Sequence, residues 1–94
     1  MGAIVLEKIK FNGKNYKLVI TYHAQERMKQ RGISRSEVLN VLKTGIVKKK
    51  DQENRWWIYK RMRNRFDNFL CLSAATEDPC LIVITALVNW SPEV

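Results

Sequence analysis

The apolar residues of this chain follow two different spacings along its length. Residues 3–11 and 16–21 are two short, largely apolar runs separated by turn residues, which predicts two β-strands. Asn12-Gly13-Lys14-Asn15 lies between them, and Asn-Gly favours a tight turn because both residues tolerate positive φ. This part of the chain therefore predicts a β-hairpin, with Ile4 and Leu6 facing a core.

Two segments with helical spacing follow the hairpin. Thr21 can cap the start of the first helix, and Gly32 suits the left-handed residue that ends one. Ser34-Arg35-Ser36-Glu37 forms a capping box at the start of the second helix, and Gly45 closes it. The apolar residues at 38, 39, 41 and 42 predict that this second helix packs on the core.

The second half of the chain predicts a run of strands. Ile46-Val47 begins a short one, and residues 48–54 form a charged loop, which is either a solvated tip or a basic finger that attracts the phosphates of RNA. Residues 69–76 and 81–88 are almost continuously apolar, as expected of strands covered on both faces. The order predicts a single α+β domain over residues 1–94, in which an N-terminal β-hairpin and two short helices precede a three- to four-strand antiparallel sheet.

The strand predicted at residues 55–62 has two chemically different faces. Trp56, Ile58 and Met62 can pack on the helices, with Lys60 as the exception. The opposite face carries Arg55, Trp57, Tyr59, Arg61 and Arg63. Aromatic rings alternating with guanidinium groups are typical of surfaces that stack nucleic-acid bases. An equally simple hypothesis is that the rings cover a second, minor core and the arginines line its edge.

Composition adds a strong positive charge to this picture. The 94 residues carry a net charge of +8, which implies an acidic partner such as nucleic acid, an anionic surface or an acidic protein. No apolar run approaches the roughly 18 residues that span a bilayer, and early charges interrupt any signal peptide. Cys71 and Cys80 are too few for a disulfide scaffold, which favours reduced core cysteines in a cytoplasmic protein.

The residue types narrow the chemistry that the chain can perform. His23 is the only histidine, and Arg27 and Arg31 follow it at helical spacing, so the three predict one stripe able to bind an anion. The alternative is a short amphipathic helix with a solvated basic edge. The nine acidic residues are scattered and form no evident ligand set, so we expect no metal and no cofactor.

The stretch His23-Ala24-x-x-Arg27-Met28-x-x-Arg31-Gly32-Ile33-Ser34, followed by Glu37-Val38 and a helix ending in Thr44-Gly45, resembles a known family. It is similar to a bacterial and archaeal domain family of unknown function, number four-two-five-eight, which looks like a relative of the BrnT and RelE toxins. The resemblance implies a compact α/β protein that cleaves RNA, free or ribosome-bound, without a metal. It also implies an acidic antitoxin partner.

Three hypotheses for function follow. The first is a metal-independent endoribonuclease of a toxin–antitoxin pair, in which a 2′-hydroxyl attacks the adjacent phosphodiester. Its predicted catalytic residues are His23, Arg27, Arg61 and Tyr59, and its predicted nucleic-acid-binding residues are Arg31, Arg55, Trp57, Lys60 and Arg63. The second is a non-catalytic nucleic-acid-binding module that uses the same basic face. The third is a module that binds an acidic protein.

Overall fold

A computed structural model describes residues 2–63 and 68–92, with the side chain at position 7 excepted. The elements are β1 (Ile4–Phe11), β2 (Lys14–Ile20), α1 (Tyr22–Arg31), α2 (Arg35–Thr44), β3 (Ile46–Lys49), β4 (Arg55–Lys60), β5 (Phe69–Glu77) and β6 (Cys80–Trp90). The predicted α+β class is confirmed. The sequence also predicts a turn over residues 65–68, of which residues 65–67, like residue 64, lie outside the described residues.

The strands form one six-stranded mixed sheet in the order β1-β2-β6-β5-β4-β3. The predicted antiparallel strands after the helices are present as β3 to β6. The sheet as a whole differs from the prediction because it also includes the hairpin, has six strands and is mixed. The N-terminal hairpin joins the sheet because β2 pairs in parallel with β6, from Lys17 opposite Cys80 to Ile20 opposite Val83. A parallel pair needs a long crossover connection. Here the connection from β2 to β6 consists of both helices and the strands β3, β4 and β5.

The hairpin forms at the predicted turn and contains an irregularity that the sequence did not reveal. Asn12 and Gly13 both have positive φ, at 51° and 79°, as an Asn-Gly hairpin turn requires. The register between β1 and β2 shifts between Val5 and Lys8. A bulge changes which face successive side chains occupy. As a result Ile4 packs on the core before it, whereas Ile9 is buried after it.

Both helices pack on the same face of the sheet and bury one continuous core. The helices contribute five buried residues: Ala24, Met28, Val38, Val41 and Leu42. The strands contribute buried residues that include Leu18, Ile20, Ile58, Leu70, Leu72, Leu81, Val83 and Ala86. The opposite face of the sheet carries the odd-numbered residues of β4 and β5. No helix among the described residues covers it, and it is called the helix-free face below.

Helix α1 begins where the β2–β6 ladder ends. The Thr21 amide donates to the Val83 carbonyl at 3.2 Å, and its hydroxyl donates to the Ile84 carbonyl at 3.1 Å. The same hydroxyl accepts from the Ala24 amide at 3.0 Å, which confirms the predicted cap. Gly32 ends the helix in the left-handed conformation, with φ of 64°. The start of α1 is therefore anchored to the edge of β6.

The predicted capping box of α2 is also present. The Ser34 side chain accepts from the Glu37 amide at 3.1 Å, and the Glu37 carboxylate accepts from the Ser34 amide at 2.9 Å. Gly45 caps the other end and leads directly into β3. Neither helix is long and apolar enough to cross a membrane, within the residues that the structure describes.

Candidate nucleic-acid interface

The two predicted faces are confirmed for β4 itself, which ends at Lys60, so that Arg61 and Arg63 lie beyond the strand. Ile58 is fully buried and Trp56 packs on the core beneath the helices. Trp57 and Tyr59 are half-buried and lie opposite Ser73 and Cys71 of β5, on the helix-free face. The period-two pattern therefore placed these two rings on the correct side of the sheet.

Four rings on the helix-free face form a contiguous cluster, which we call the aromatic row: Phe69, Tyr59, Trp90 and Trp57. The Phe69 and Tyr59 ring centroids are 5.2 Å apart. Those of Tyr59 and Trp90 are 5.0 Å apart, and those of Trp90 and Trp57 are 5.4 Å apart. The sequence does not place Phe69 on this face, and it leaves open whether Trp90 covers the core or lines a groove. Only the pairing of Phe69 with Trp90 across β5 and β6 brings them together.

A cation lies at each end of the aromatic row. The Lys50 ammonium is 3.8 Å from the centroid of the Trp57 ring, and the Arg61 guanidinium carbon is 4.9 Å from that of Phe69. Both distances are within the range of cation–π attraction. The order Lys50, aromatic row, Arg61 is therefore a stripe of rings with positive charge at both ends.

The aromatic row also covers a thin apolar layer on β5. Cys71, which lies opposite Tyr59, is fully buried. Burial raises the pKa of its thiol to about 12, although the nearby Lys50 charge acts in the opposite direction. Ser73 and Ala75 on the same face are 4% and 2% exposed. The rings therefore do cover a second, minor core with their inner sides, as the alternative hypothesis expected. Their outer sides leave the aromatic row half-exposed to solvent.

Beside Trp57 the helix-free face contains a concave region of about 660 Å³, which we call the basic groove. Its lining comprises Lys48, Lys49, Lys50, Asp51, Gln52, Arg55, Trp57, Ser73 and Ile84. The predicted loop over residues 48–54 is partly wrong, because Lys48 and Lys49 belong to β3. Backbone pairing with Trp57 and Trp56 extends the strand into the charged segment.

Lys50 is held in position within the basic groove. Its ammonium donates to the Ser73 hydroxyl and also lies over the Trp57 ring. Removal from water lowers the pKa of Lys50, and the neighbouring Arg55 charge lowers it further. The sequence does not single out Lys50 within its run of three lysines, because such a run usually remains solvated along its whole length.

Arg55 contributes a donor without an acceptor. Its Nε is the one buried side-chain nitrogen or oxygen with no hydrogen-bond partner among the residues that the structure describes. The backbone of Arg55 is fixed by pairing with Ala75 in the sheet. A buried N–H group that lacks an acceptor costs free energy, so this position favours an incoming acceptor.

Lys60 lies on the other face of β4 and serves a different purpose. Its ammonium donates to Asn40 Oδ1 at 2.7 Å and to Thr44 Oγ1 at 2.6 Å, which ties β4 to the end of α2. Lys60, Arg61 and Arg63 share a smaller concave region of about 450 Å³. Arg61 and Arg63 are exposed there, so they remain accessible to a ligand.

The predicted stripe on α1 does not form one open surface. His23 is exposed and has no hydrogen-bond partner in the described part of the chain, and Arg27 donates to Gln30 Oε1 at 2.7 Å. Arg31 instead turns toward the sheet and donates to the Ala86 carbonyl at 2.5 Å. Arg31 therefore attaches α1 to β6, and its role in nucleic-acid binding stays a prediction.

The structure does not gather the predicted catalytic residues into one concave region. His23 and Arg27 are on α1, which packs on the helix-bearing face of the sheet, whereas Tyr59 lies on the helix-free face. Neither the basic groove nor the smaller concave region is lined by His23 or Arg27. Arg55, Trp57, Tyr59 and Arg61, by contrast, do share the helix-free face or its border.

Acidic groups are sparse around this surface. Within residues 2–63 and 68–92 the one ion pair joins Lys14 to Asp78 at 2.9 Å, near the β5–β6 turn. In the same ranges no group of three histidine, cysteine or acidic side chains converges as metal ligands would. Among the described residues that line the basic groove, Asp51 is the one acidic residue, and it is exposed.

Comparison with known proteins identifies a family but no activity. No curated protein matches this sequence, and no solved structure does either. The family described as "Domain of unknown function (DUF4258)" matches residues 20–88, which include both helices, β3, β4 and β5, and most of β6. With most of its length matched, the chain belongs to the DUF4258 family.

Proposed function

We propose that this protein binds single-stranded RNA on the helix-free face of its sheet. The observation that carries the proposal is the aromatic row with Lys50 and Arg61 at its two ends. Bases of a single strand stack on aromatic side chains, while phosphates interact with flanking cations. The net charge of +8 supplies long-range attraction to the same ligand.

The spacing of the rings restricts how bases can bind. Centroid separations of 5.0–5.4 Å leave no room for a base to insert between neighbouring rings. A base must therefore stack on the outward side of the row, or replace Lys50 or Arg61 at an end. Either mode favours unpaired bases, because the bases in a duplex are already stacked on one another.

The test is a binding titration of fluorescent single-stranded RNA with matched tyrosine variants. Tyr59→Leu removes a ring from the middle of the aromatic row, and Tyr22→Leu removes an exposed ring from α1. Loss of one stacked base costs about 1–3 kcal/mol, so we expect Tyr59→Leu to weaken binding by about tenfold or more. Tyr22→Leu should match the wild type. Equal affinity of all three proteins would exclude the aromatic row as the binding surface.

RNA cleavage is a second candidate, favoured by the exposure of His23 and its lack of a hydrogen-bond partner among the described residues. An accessible imidazole beside Arg27 suits proton transfer during attack by a 2′-hydroxyl. The similarity to BrnT- and RelE-like toxins supports this candidate and is itself part of the proposal. Such a protein would act in the cytoplasm without a metal and would be inhibited by an acidic antitoxin.

Cleavage and binding are separable by experiment. Purified protein, His23→Ala and Arg27→Ala are incubated with RNA in the presence of a chelator, and the products are resolved by length. Cleavage that disappears in His23→Ala, with RNA affinity retained, supports the endoribonuclease. Cleavage that persists in both variants excludes the proposed centre. An intact substrate with every protein leaves RNA binding as the function.

A further inference from the structure

We propose that the basic groove is a phosphate-binding site in which Arg55 and Lys50 hold one backbone phosphate of the RNA strand that crosses the aromatic row. This inference rests on the proposed function and adds to it a defined binding position for one phosphate. A phosphate held beside Trp57 would set the register of the bases along the row, because the groove and the row share that residue.

The missing acceptor at Arg55 is the first reason. Its buried Nε–H has no partner among the described residues, although nearly all buried polar groups in proteins are paired. Phosphate oxygens accept hydrogen bonds from a guanidinium in a fork geometry that matches Nε and a terminal nitrogen. A bound phosphate would therefore satisfy a donor that the protein itself leaves unsatisfied.

The position of Lys50 is the second reason. Ser73 and the Trp57 ring hold its ammonium inside the groove, close enough to Arg55 for the two positive charges to oppose each other. Burial and this repulsion lower the pKa of Lys50. An anion near both side chains would remove the repulsion and stabilise the charged ammonium, so binding of phosphate should raise that pKa.

The size and charge of the groove fit the same ligand. A volume of about 660 Å³ is within the usual range for small-ligand sites and exceeds what a single phosphate requires, which leaves room for the attached nucleoside. Four basic residues line the groove against Asp51 at the rim. The adjoining aromatic row favours a nucleotide phosphate over the carboxylate of an acidic peptide, because a peptide would not use the stacking surface.

The experiment compares two groove variants with matched exposed residues on the helices. Arg55→Lys keeps the charge but removes the Nε donor, and its control is Arg35→Lys. Lys50→Gln removes a charge, and its control is Lys29→Gln. Affinity for single-stranded RNA is measured over a range of salt concentrations, and thermal unfolding verifies that each variant is folded. Nitrogen-resolved NMR follows Arg55 Nε–H during titration with RNA, a nucleoside monophosphate or inorganic phosphate.

Arg55→Lys should weaken RNA binding about tenfold, as for loss of a charge-assisted hydrogen bond, without changing its salt dependence. Lys50→Gln should weaken RNA binding and lower its salt slope by at most about 0.7, the value for one phosphate of a single strand, because Arg55 still contacts that phosphate. Neither control should differ from the wild type. RNA and the nucleoside monophosphate should both shift the Arg55 Nε–H resonance.

The proposal is overturned if the groove variants bind RNA like their controls, even when Tyr59→Leu shows that the aromatic row binds it. It is also overturned if an acidic peptide, but neither RNA nor a nucleotide, shifts the Arg55 Nε–H resonance. If the groove variants weaken binding and Tyr59→Leu does not, the phosphate site stands and the proposed use of the aromatic row fails.

Discussion

Arg31 Nη1 donates a hydrogen bond of 2.5 Å to the backbone carbonyl of Ala86. The β2–β6 ladder ends at Val83, so this part of β6 has left the strand that paired with it. Arg31 supplies a donor there from the last turn of α1, and Thr21 does the same for Ile84. Two side chains thus continue the pairing of β6 after β2 has ended, and they attach the helix to the sheet.

Replacing Arg31 should therefore destabilise the fold. We expect Arg31→Ala to lower the free energy of unfolding by about 1–3 kcal/mol, because the Ala86 carbonyl loses a charged, half-buried donor. Arg27→Ala is the matched control, since the hydrogen bond from Arg27 to Gln30 is exposed on the surface, and it should change stability by less than about 0.5 kcal/mol. Urea denaturation measures both. Equal stability of the two variants would contradict a structural role for Arg31.

Gly45 should not tolerate any side chain. A Cβ atom there would lie 2.5 Å from the Val41 carbonyl oxygen and 2.9 Å from that of Tyr59. Both are backbone atoms of paired elements and cannot move aside easily, so we expect Gly45→Ala to cost about 1–3 kcal/mol of stability. Gly2→Ala has open space around it and should be neutral in the same denaturation experiment. A stable Gly45→Ala protein would show that α2 and β4 are not this close.

The buried Cys71 thiol predicts a loss of stability in alkali. Burial raises its pKa from the ordinary 9.0 to about 12, so the unfolded chain releases this proton first as the pH rises. The contribution to stability is complete below about pH 9 and is lost between pH 9 and 12. At pH 10.5 the stability lost through this group should amount to about 2 kcal/mol. Between pH 8 and pH 10.5 the wild type should lose more stability than Cys71→Ala, and parallel losses would disprove the prediction.

Replacing Trp90 should weaken RNA binding. Its ring contacts both Trp57 and Tyr59, so Trp90→Leu interrupts the aromatic row at its centre. We expect RNA affinity to fall by about tenfold, the value for one lost stacked base. Trp56→Leu on the core side is the matched control. It should lower stability but leave RNA affinity per folded molecule unchanged. A Trp90→Leu protein that binds RNA normally would remove this residue from the interface.

Several local features were predictable from sequence because neighbouring residues determine them. The Asn12-Gly13 turn needs only positive φ at two adjacent residues, and the cap at Thr21 and the capping box at Ser34 need only one helical turn. Trp57 and Ile58 lie on opposite faces of the sheet because successive side chains of a strand point to opposite sides. Each of these depends on interactions within a few residues of the chain.

The candidate site depended on contacts between residues far apart in sequence. Trp90 meets Trp57 and Tyr59 only because β6 lies beside β5, which in turn pairs with β4. The same pairing puts Lys50 against Ser73, while Lys60 reaches α2 from the other side of the sheet.

The sequence by itself determined the fold class, the helix boundaries, the position of the Asn12-Gly13 turn and the strongly basic character of this protein. Tertiary structure alone decided that β2 pairs in parallel with β6, that Arg31 binds the backbone of β6, and that the aromatic row acquires Trp90 and Phe69. The physical reason is that local spacing sets backbone conformation and the face of each side chain. Strand order and register, which bring distant rings and cations together, arise only when the whole core is buried at once.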